Sequence, residues 1–199
     1  MSYDELISNL ENGVNFSFSR FGDGELACMF GHGGYNCDLH TYFIDLGRAL
    51  VEVWENPKGI IAIQGLGYRI WHERLGPNIW PNADILHHAS EREGLCRFIT
   101  ALKKRRVILV GPKHLYQLPF WDEFVMVPDM NCWKVFPDTL EDVHRLTQAN
   151  DVILYSCSMM AEVLIHKMYA EDITQIDTGS VFDPYCGVNS RSYHKKVKV

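Results

Sequence analysis

The sequence predicts an α/β domain: a single Rossmann-like unit over residues 1–199, with a mostly parallel sheet flanked by helices. Three observations predict it. Short apolar runs at 59–64, 106–112, 124–128 and 151–155 alternate with segments of helical periodicity. Those runs are apolar almost throughout, as in strands covered on both faces. Several of them also empty into glycine, serine or aspartate, the residues of tight turns between strand and helix.

Residues 2–12 read as a helix, with Ser2 as N-cap, Glu5 three residues on and Gly13 as the stop. Phe16 and Phe18 alternate with Ser17 and Ser19, the period of a half-buried strand. That strand runs into a sharp turn, Gly22-Asp23-Gly24-Glu25, and a helix is expected from Leu26. Gly31, Gly33 and Gly34 lie in a loop over 31–38, long enough to close over a ligand or simply to connect. Helical spacing of Phe43, Leu46, Leu50, Val53 and Trp54 predicts a helix over 39–54, broken by Pro57-Lys58-Gly59.

The strand at 59–64 exits into Gly65-Leu66-Gly67, which lacks the third glycine of a dinucleotide fingerprint and so excludes a dehydrogenase of that type. Residues 84–89 read as a short strand with His87 and His88 on opposite faces, and Ser90 as cap of a helix over 91–104. The clearest strand is 106–112, ending at Gly111-Pro112 and followed by Lys113 and His114. Beyond the strand at 124–128, a loop carries Asn131, Trp133 and Lys134, and a helix opens at Pro137-Asp138. The strand at 151–155 leads through Ser156-Cys157-Ser158 into a helix reaching 169. The last strand, 174–176, leads to Asp177, Gly179-Ser180 and a loop-rich ending with Asp183, Arg191 and His194.

A chain of 199 residues, 47% hydrophobic and 12% aromatic, has enough apolar material for a core and is not disordered. No apolar run is long enough to span a membrane and residues 1–5 are not a signal peptide. A cytoplasmic protein is therefore expected, bacterial or phage-encoded in its host. The six cysteines are scattered with no C-x-x-C pair, which signals neither zinc nor disulfides. A net charge of −6 argues against a domain built mainly for nucleic acid. The basic runs 103–106 and 195–198 are the places that could hold a polyanionic acceptor.

Two carboxylates one residue apart on a glycine turn suit Mg²⁺ or Mn²⁺ holding phosphate oxygens, with Arg20 beside them; on spacing alone they also suit a solvated turn and a helix first-turn acid. Lys113 could meet a diphosphate and His114 could take a proton from an acceptor hydroxyl, or the two could be a solvated loop pair. Ser156 and Ser158 could present a helix N-terminus to phosphate, with or without N-capping by Ser158.

Arg20-Phe21-Gly22-Asp23-Gly24-Glu25 resembles the motif that opens the GT-D family of glycosyltransferases, and the block at 176–185, Ile-Asp-Thr-Gly-Ser-Val-Phe-Asp-Pro-Tyr, resembles its closing segment. The resemblance implies a Rossmann-like core, Mn²⁺ or Mg²⁺ held by Asp23 and Glu25, and a nucleotide-diphosphate sugar as donor. With that reading, Arg20, Gly22, Lys113, His114, Ser156, Ser158, Gly179, Ser180, Arg191 and His194 are donor or acceptor contacts. Asp177 or Asp183 is then a general base or an orienting group beside Asp23 and Glu25. The implied acceptor is a glycan or glycoprotein; a modified base in phage DNA is another possibility. In the Ser156-Cys157-Ser158 stretch the resemblance leads one to expect a more glycine-like residue, and the sequence departs from it there. A nucleotide-diphosphate hydrolase or phosphotransferase, and a nucleotide-sugar sensor without turnover, use the same carboxylate logic and are separated from a transferase by their products.

Overall fold

The structure, a computed structural model, describes residues 1–76, 80–189 and 191–197. Among them are six strands: β1 (Ser17–Phe21), β2 (Ile60–Ile63), β3 (Val107–Pro112), β4 (Glu123–Val127), β5 (Val152–Tyr155) and β6 (Thr174–Asp177). They form one sheet in the order β2-β1-β6-β5-β3-β4, and every pairing is parallel. Phe18 lies opposite both Ile60 and Ile176, and Tyr155 lies opposite Asp177. All six carboxyl ends therefore open on one edge.

Among the described residues eight α-helices cover the two faces. On one side α1 (Tyr3–Glu11), α5 (Ile85–Arg92) and α6 (Cys96–Leu102) bury Leu6, Leu10, Leu86 and Phe98 against Phe18, Leu109, Leu154 and Ile176. On the other, α7 (Phe136–Leu146) and α8 (Met160–Lys167) pack on Ile108, Val110, Ile153 and Tyr155. There α2 (Asp23–Met29) and α3 (Ile44–Glu55) enclose Phe21 and Ile63, with α4 (Gly65–Leu75) alongside. Among the described residues no helix is long and apolar enough to cross a membrane.

Helix α1 starts as its sequence dictates. The Ser2 N–H donates to Glu5 Oε2 (3.1 Å) and the Glu5 N–H to Ser2 Oγ (3.2 Å), a reciprocal capping box.

Four expectations are corrected. Strand β1 is not half-buried: Ser17 and Ser19 are only 3% and 5% exposed, because β1 lies between β2 and β6 with α8 across its polar side. Ser17 Oγ accepts from Gln175 Nε2 at 3.3 Å, so the hydroxyl is buried with a partner. Residues 84–89 are not a strand but the start of α5; Ile85 and Ala89 are also spaced for a helix, and a short apolar run does not separate the two. Gly94, at φ +75°, then divides the expected 91–104 helix. Helix α3 starts at Ile44 rather than 39, since Asn36 Oδ1 accepts from the Asp38 and His40 N–H groups (3.0 Å each) and turns the chain there.

The basic run 103–106 is partly spent on the fold. Arg105 donates to Asn150 O (2.6 Å) and Thr174 Oγ1 (2.9 Å), and Arg106 Nη1 lies 2.6 Å from Asp151 Oδ2. These contacts stitch the amino ends of the strands, the edge opposite the turns discussed next.

Candidate active site

Ligands of open α/β sheets bind beyond the carboxyl ends of the strands. Here that edge gathers Gly22 after β1, Gln64 after β2, Lys113 after β3, Ser156 after β5 and Thr178 after β6.

The expected acidic turn is already helix. Gly22 is the N-cap of α2, Asp23 its first residue and Glu25 its third. Residues two apart on a helix do not face each other, so the two carboxylates are not a side-by-side pair. Glu25 instead folds back, and Gly22 N–H donates to its Oε2 at 2.9 Å. A β-carbon on Gly22 would sit 2.9 Å from that same oxygen, which makes glycine the residue for the position. Burial pushes the Glu25 carboxyl up to about 7. Asp23 stays at the rim, partly exposed. Gly67, in the first turn of α4, lies so close that a β-carbon there would be 3.0 Å from Gly22 C and 3.2 Å from Asp23 N. The second glycine of Gly65-x-Gly67 thus lets two helix starts touch backbone to backbone.

Arg20 does not point out of the rim. Its side chain is 11% exposed, Nε donates to Ala83 O (2.7 Å), and Nη2 lies 3.3 Å from His87 Nδ1 and 3.8 Å from Asp84. Nη1 lies 3.8 Å from Asp177 Oδ2. The guanidinium joins the start of α5 to the end of β6, and burial followed by the Arg20 charge drives the His87 imidazole down to about 4.

Asp177 is likewise an interior acid. Its Oδ1 accepts from Gly179 N–H at 2.8 Å, and its charge acts on Glu162 of α8, which is 1% exposed. Burial raises both carboxyls, Glu162 well above the usual carboxylate range, and the Arg20 cation opposes the rise at Asp177. Glu162 was not among the sequence candidates. Its one signal was an acid inside an otherwise apolar stretch, Met160–Ile165 by position.

A second titratable pair, His114 half-buried and Asp183 buried, lies elsewhere on the rim. His114 sits in the 3₁₀ turn Lys113–Gln117 after β3, and Asp183 opens the 3₁₀ turn Asp183–Cys186 after β6. His114 Nε2 is 3.0 Å from Asp183 Oδ1, and Nδ1 is 3.6 Å from Asp129 Oδ1, a carboxylate 76% exposed. Burial raises the Asp183 carboxyl, with the His114 contact opposing it. Lys113 is exposed beside them.

This edge and its sheet can be compared with known structures. Three solved structures align with 93% of this chain at 13–14% identity and TM-scores of 0.70–0.71. One is a selenomethionine structure of domain of unknown function 1792, covered over 79% of its length. Another presents that highly conserved domain as having a distinct glycosyltransferase fold, with 79% covered. A third is a glycosyltransferase of the same domain type from Streptococcus sanguinis, with 82% covered. The chain has the DUF1792 glycosyltransferase fold. No family model and no curated protein matches the sequence. The fold expected from the GT-D resemblance of residues 20–25 and 176–185 is thus the fold observed.

Within the DUF1792 fold the remaining candidates take these places. Ser156 Oγ is 2.8 Å from Thr178 Oγ1 and ties the ends of β5 and β6 together. Ser158 does not cap α8, whose N-cap is Met159; its Oγ accepts from Asn36 Nδ2 at 3.2 Å. Its φ of +54° is the left-handed conformation that glycine adopts freely. Ser180 Oγ is 2.9 Å from Tyr193 OH. His194 is 3% exposed, and its Nδ1 accepts from Arg191 N–H at 3.3 Å, so it supports the C-terminal segment rather than facing the rim. The Arg191 guanidinium pairs with Asp38.

Among the described residues no group of three or more His, Cys, Asp and Glu side chains is arranged to hold a metal ion. Asp23, partly exposed, and Glu25, folded back on Gly22, are the two carboxylates that the GT-D resemblance assigns to a divalent ion completed by substrate phosphates and water. Glu25 enters such a site with one oxygen already engaged by Gly22.

Proposed function

We propose that this protein is a metal-dependent glycosyltransferase that moves a sugar from a nucleotide-diphosphate sugar to a hydroxyl of a glycan, a glycoprotein or a modified base. The observation that supports it is the position of the Arg20–Glu25 stretch at the carboxyl end of a central strand, in a fold shared with structures described as glycosyltransferases. Asp23 together with Glu25 would hold Mg²⁺ or Mn²⁺, and the ion would neutralise charge on the departing diphosphate. Lys113 adds a cation at the same edge.

The acceptor's proton goes to His114. His114 Nε2–H donates a hydrogen bond to Asp183 Oδ1, which leaves Nδ1 to accept the proton; Asp183 is the positioning residue. Arg20, Asp177 and Glu162 hold the electrostatics beneath the rim without touching solvent-borne reactants.

A melting-temperature screen of nucleotide-diphosphate sugars, with and without Mn²⁺, on wild type and Asp23→Ala tests the reading. A metal-dependent rise with one sugar nucleotide, absent in the variant, is the expected result. No rise with any of them overturns it. Mass spectrometry of the products then separates the classes: a glycosylated acceptor is transfer, free sugar phosphate is hydrolysis, and an unchanged donor is sensing.

A further inference from the structure

The glycine-rich loop and the C-terminal segment meet over the first turn of α2, and one side chain joins them. The loop's base is anchored. Asn36 Nδ2 donates to Ser158 Oγ, Thr41 N–H donates to Asn131 Oδ1 at 2.8 Å, and Asn131 N–H donates to His40 Nδ1 at 3.1 Å. The tip is held by backbone bonds within the loop itself, Tyr42 N–H donating to Gly34 O at 2.9 Å and Leu39 N–H to Asn36 O at 3.0 Å. A β-carbon on Gly31, Gly33 or Gly34 would meet nothing within 4 Å, Tyr35 and Leu39 are 65% and 56% exposed, and Leu39 holds φ +64°.

From the other side, the 3₁₀ turn Ser192–Lys196 is docked by Tyr193, whose ring lies 4.5 Å from that of His87 and whose hydroxyl meets Ser180. Arg191, just before that turn, pairs with Asp38 and touches Cys37 Sγ. A β-carbon on Gly24 would lie 3.1 Å from Asn36 Cβ and 3.8 Å from the Tyr42 hydroxyl, so the loop that carries Asp38 packs on the first turn of α2, beside Asp23.

We propose that Arg191 and Asp38 form the clasp of a gate over Asp23, and that an anionic diphosphate opens it by drawing Arg191 away from Asp38. Both side chains are about a quarter exposed, 24% and 25%. Such an ion pair is weak enough to exchange, and a diphosphate outcompetes a single carboxylate for a guanidinium fork. The exchange of partners rests on the rim being a diphosphate site; the clasp does not.

Amide hydrogen exchange of the peptide covering 31–43, with inorganic pyrophosphate as the probe, tests both parts. Asp38→Asn and Arg191→Gln are each expected to speed exchange at the loop tip about tenfold, and the double variant no further, because the two changes remove one interaction. Pyrophosphate is expected to speed the wild type toward the variants and to leave Arg191→Gln unchanged. Unaltered exchange in both single variants overturns the clasp. Faster exchange in the variants, with a wild type that is indifferent to pyrophosphate or slowed by it, overturns the opening step. The melting screen with nucleotide sugars reports separately: donor binding without pyrophosphate-driven opening keeps the transferase and loses the gate, and opening without donor binding does the reverse.

Discussion

Arg20 Nη1 occupies the space that a β-carbon on Gly179 would need. Gly179 also holds φ +55°, so two separate costs fall on any side chain there. Arg20 cannot easily yield, since Ala83 O, Asp84, His87 and Asp177 surround its guanidinium. Gly179→Ala is expected to lose about 2–4 kcal/mol in urea unfolding, backbone strain plus a displaced buried cation. Gly187→Ala is the control: its φ is +76° with nothing within 4 Å, so it should lose only about 1 kcal/mol. Equal losses would remove Arg20 from the explanation.

Glu25 and His87 set opposing pH slopes. Between its ordinary 4.5 and about 7, Glu25 keeps its proton in the native protein but loses it in the unfolded chain. Stability therefore falls as pH rises through that window, by up to about 3 kcal/mol. His87 moves the other way. Between 6.5 and about 4 only the unfolded chain takes its proton, so stability falls as pH drops. Glu25→Gln should remove the first slope and leave a protein whose stability, relative to wild type, climbs from pH 4.5 to 7. Urea midpoints across that range measure it; parallel curves for the two proteins contradict the Glu25 assignment.

His114 and Asp183 separate chemistry from binding. His114→Ala should lower kcat for sugar transfer about 100-fold or more with KM for the donor little changed. Asp183→Asn should cost less in kcat and shift the pH profile, since the ring keeps its place but loses its charged partner. A donor KM that rises with unchanged kcat in His114→Ala would assign His114 to binding.

Gly67 links two helix starts. Gly67→Ala places a methyl 3.0 Å from Gly22 C and 3.2 Å from Asp23 N, atoms of backbone that cannot rotate away. The expected result is donor affinity weakened about tenfold by calorimetry, with a smaller loss in melting temperature than Gly179→Ala shows. Gly65→Ala, with open space around it, should bind as wild type does.

The strands at 59–64, 106–112, 124–128 and 151–155, the capping of α1 and the parallel α/β class were legible because each depends on residues near in sequence. A period, a cap three residues away and a buried apolar run are local statements, and the all-parallel sheet bears them out. The placing of Asp23, Lys113, Ser156 and Asp177 on one edge followed from the same logic. What the acids do there did not. Ser17 and Ser19 are buried because β6 pairs beside β1 and α8 lies across its polar side, both from far along the chain; Glu25 turns back because α2 begins at Asp23. The His114–Asp183 contact joins residues 69 apart, and Glu162 meets Asp177 across two elements. Burial and proton affinity are set by neighbours brought from a distance, so the tertiary structure alone decided which carboxylates face solvent and which are held neutral inside.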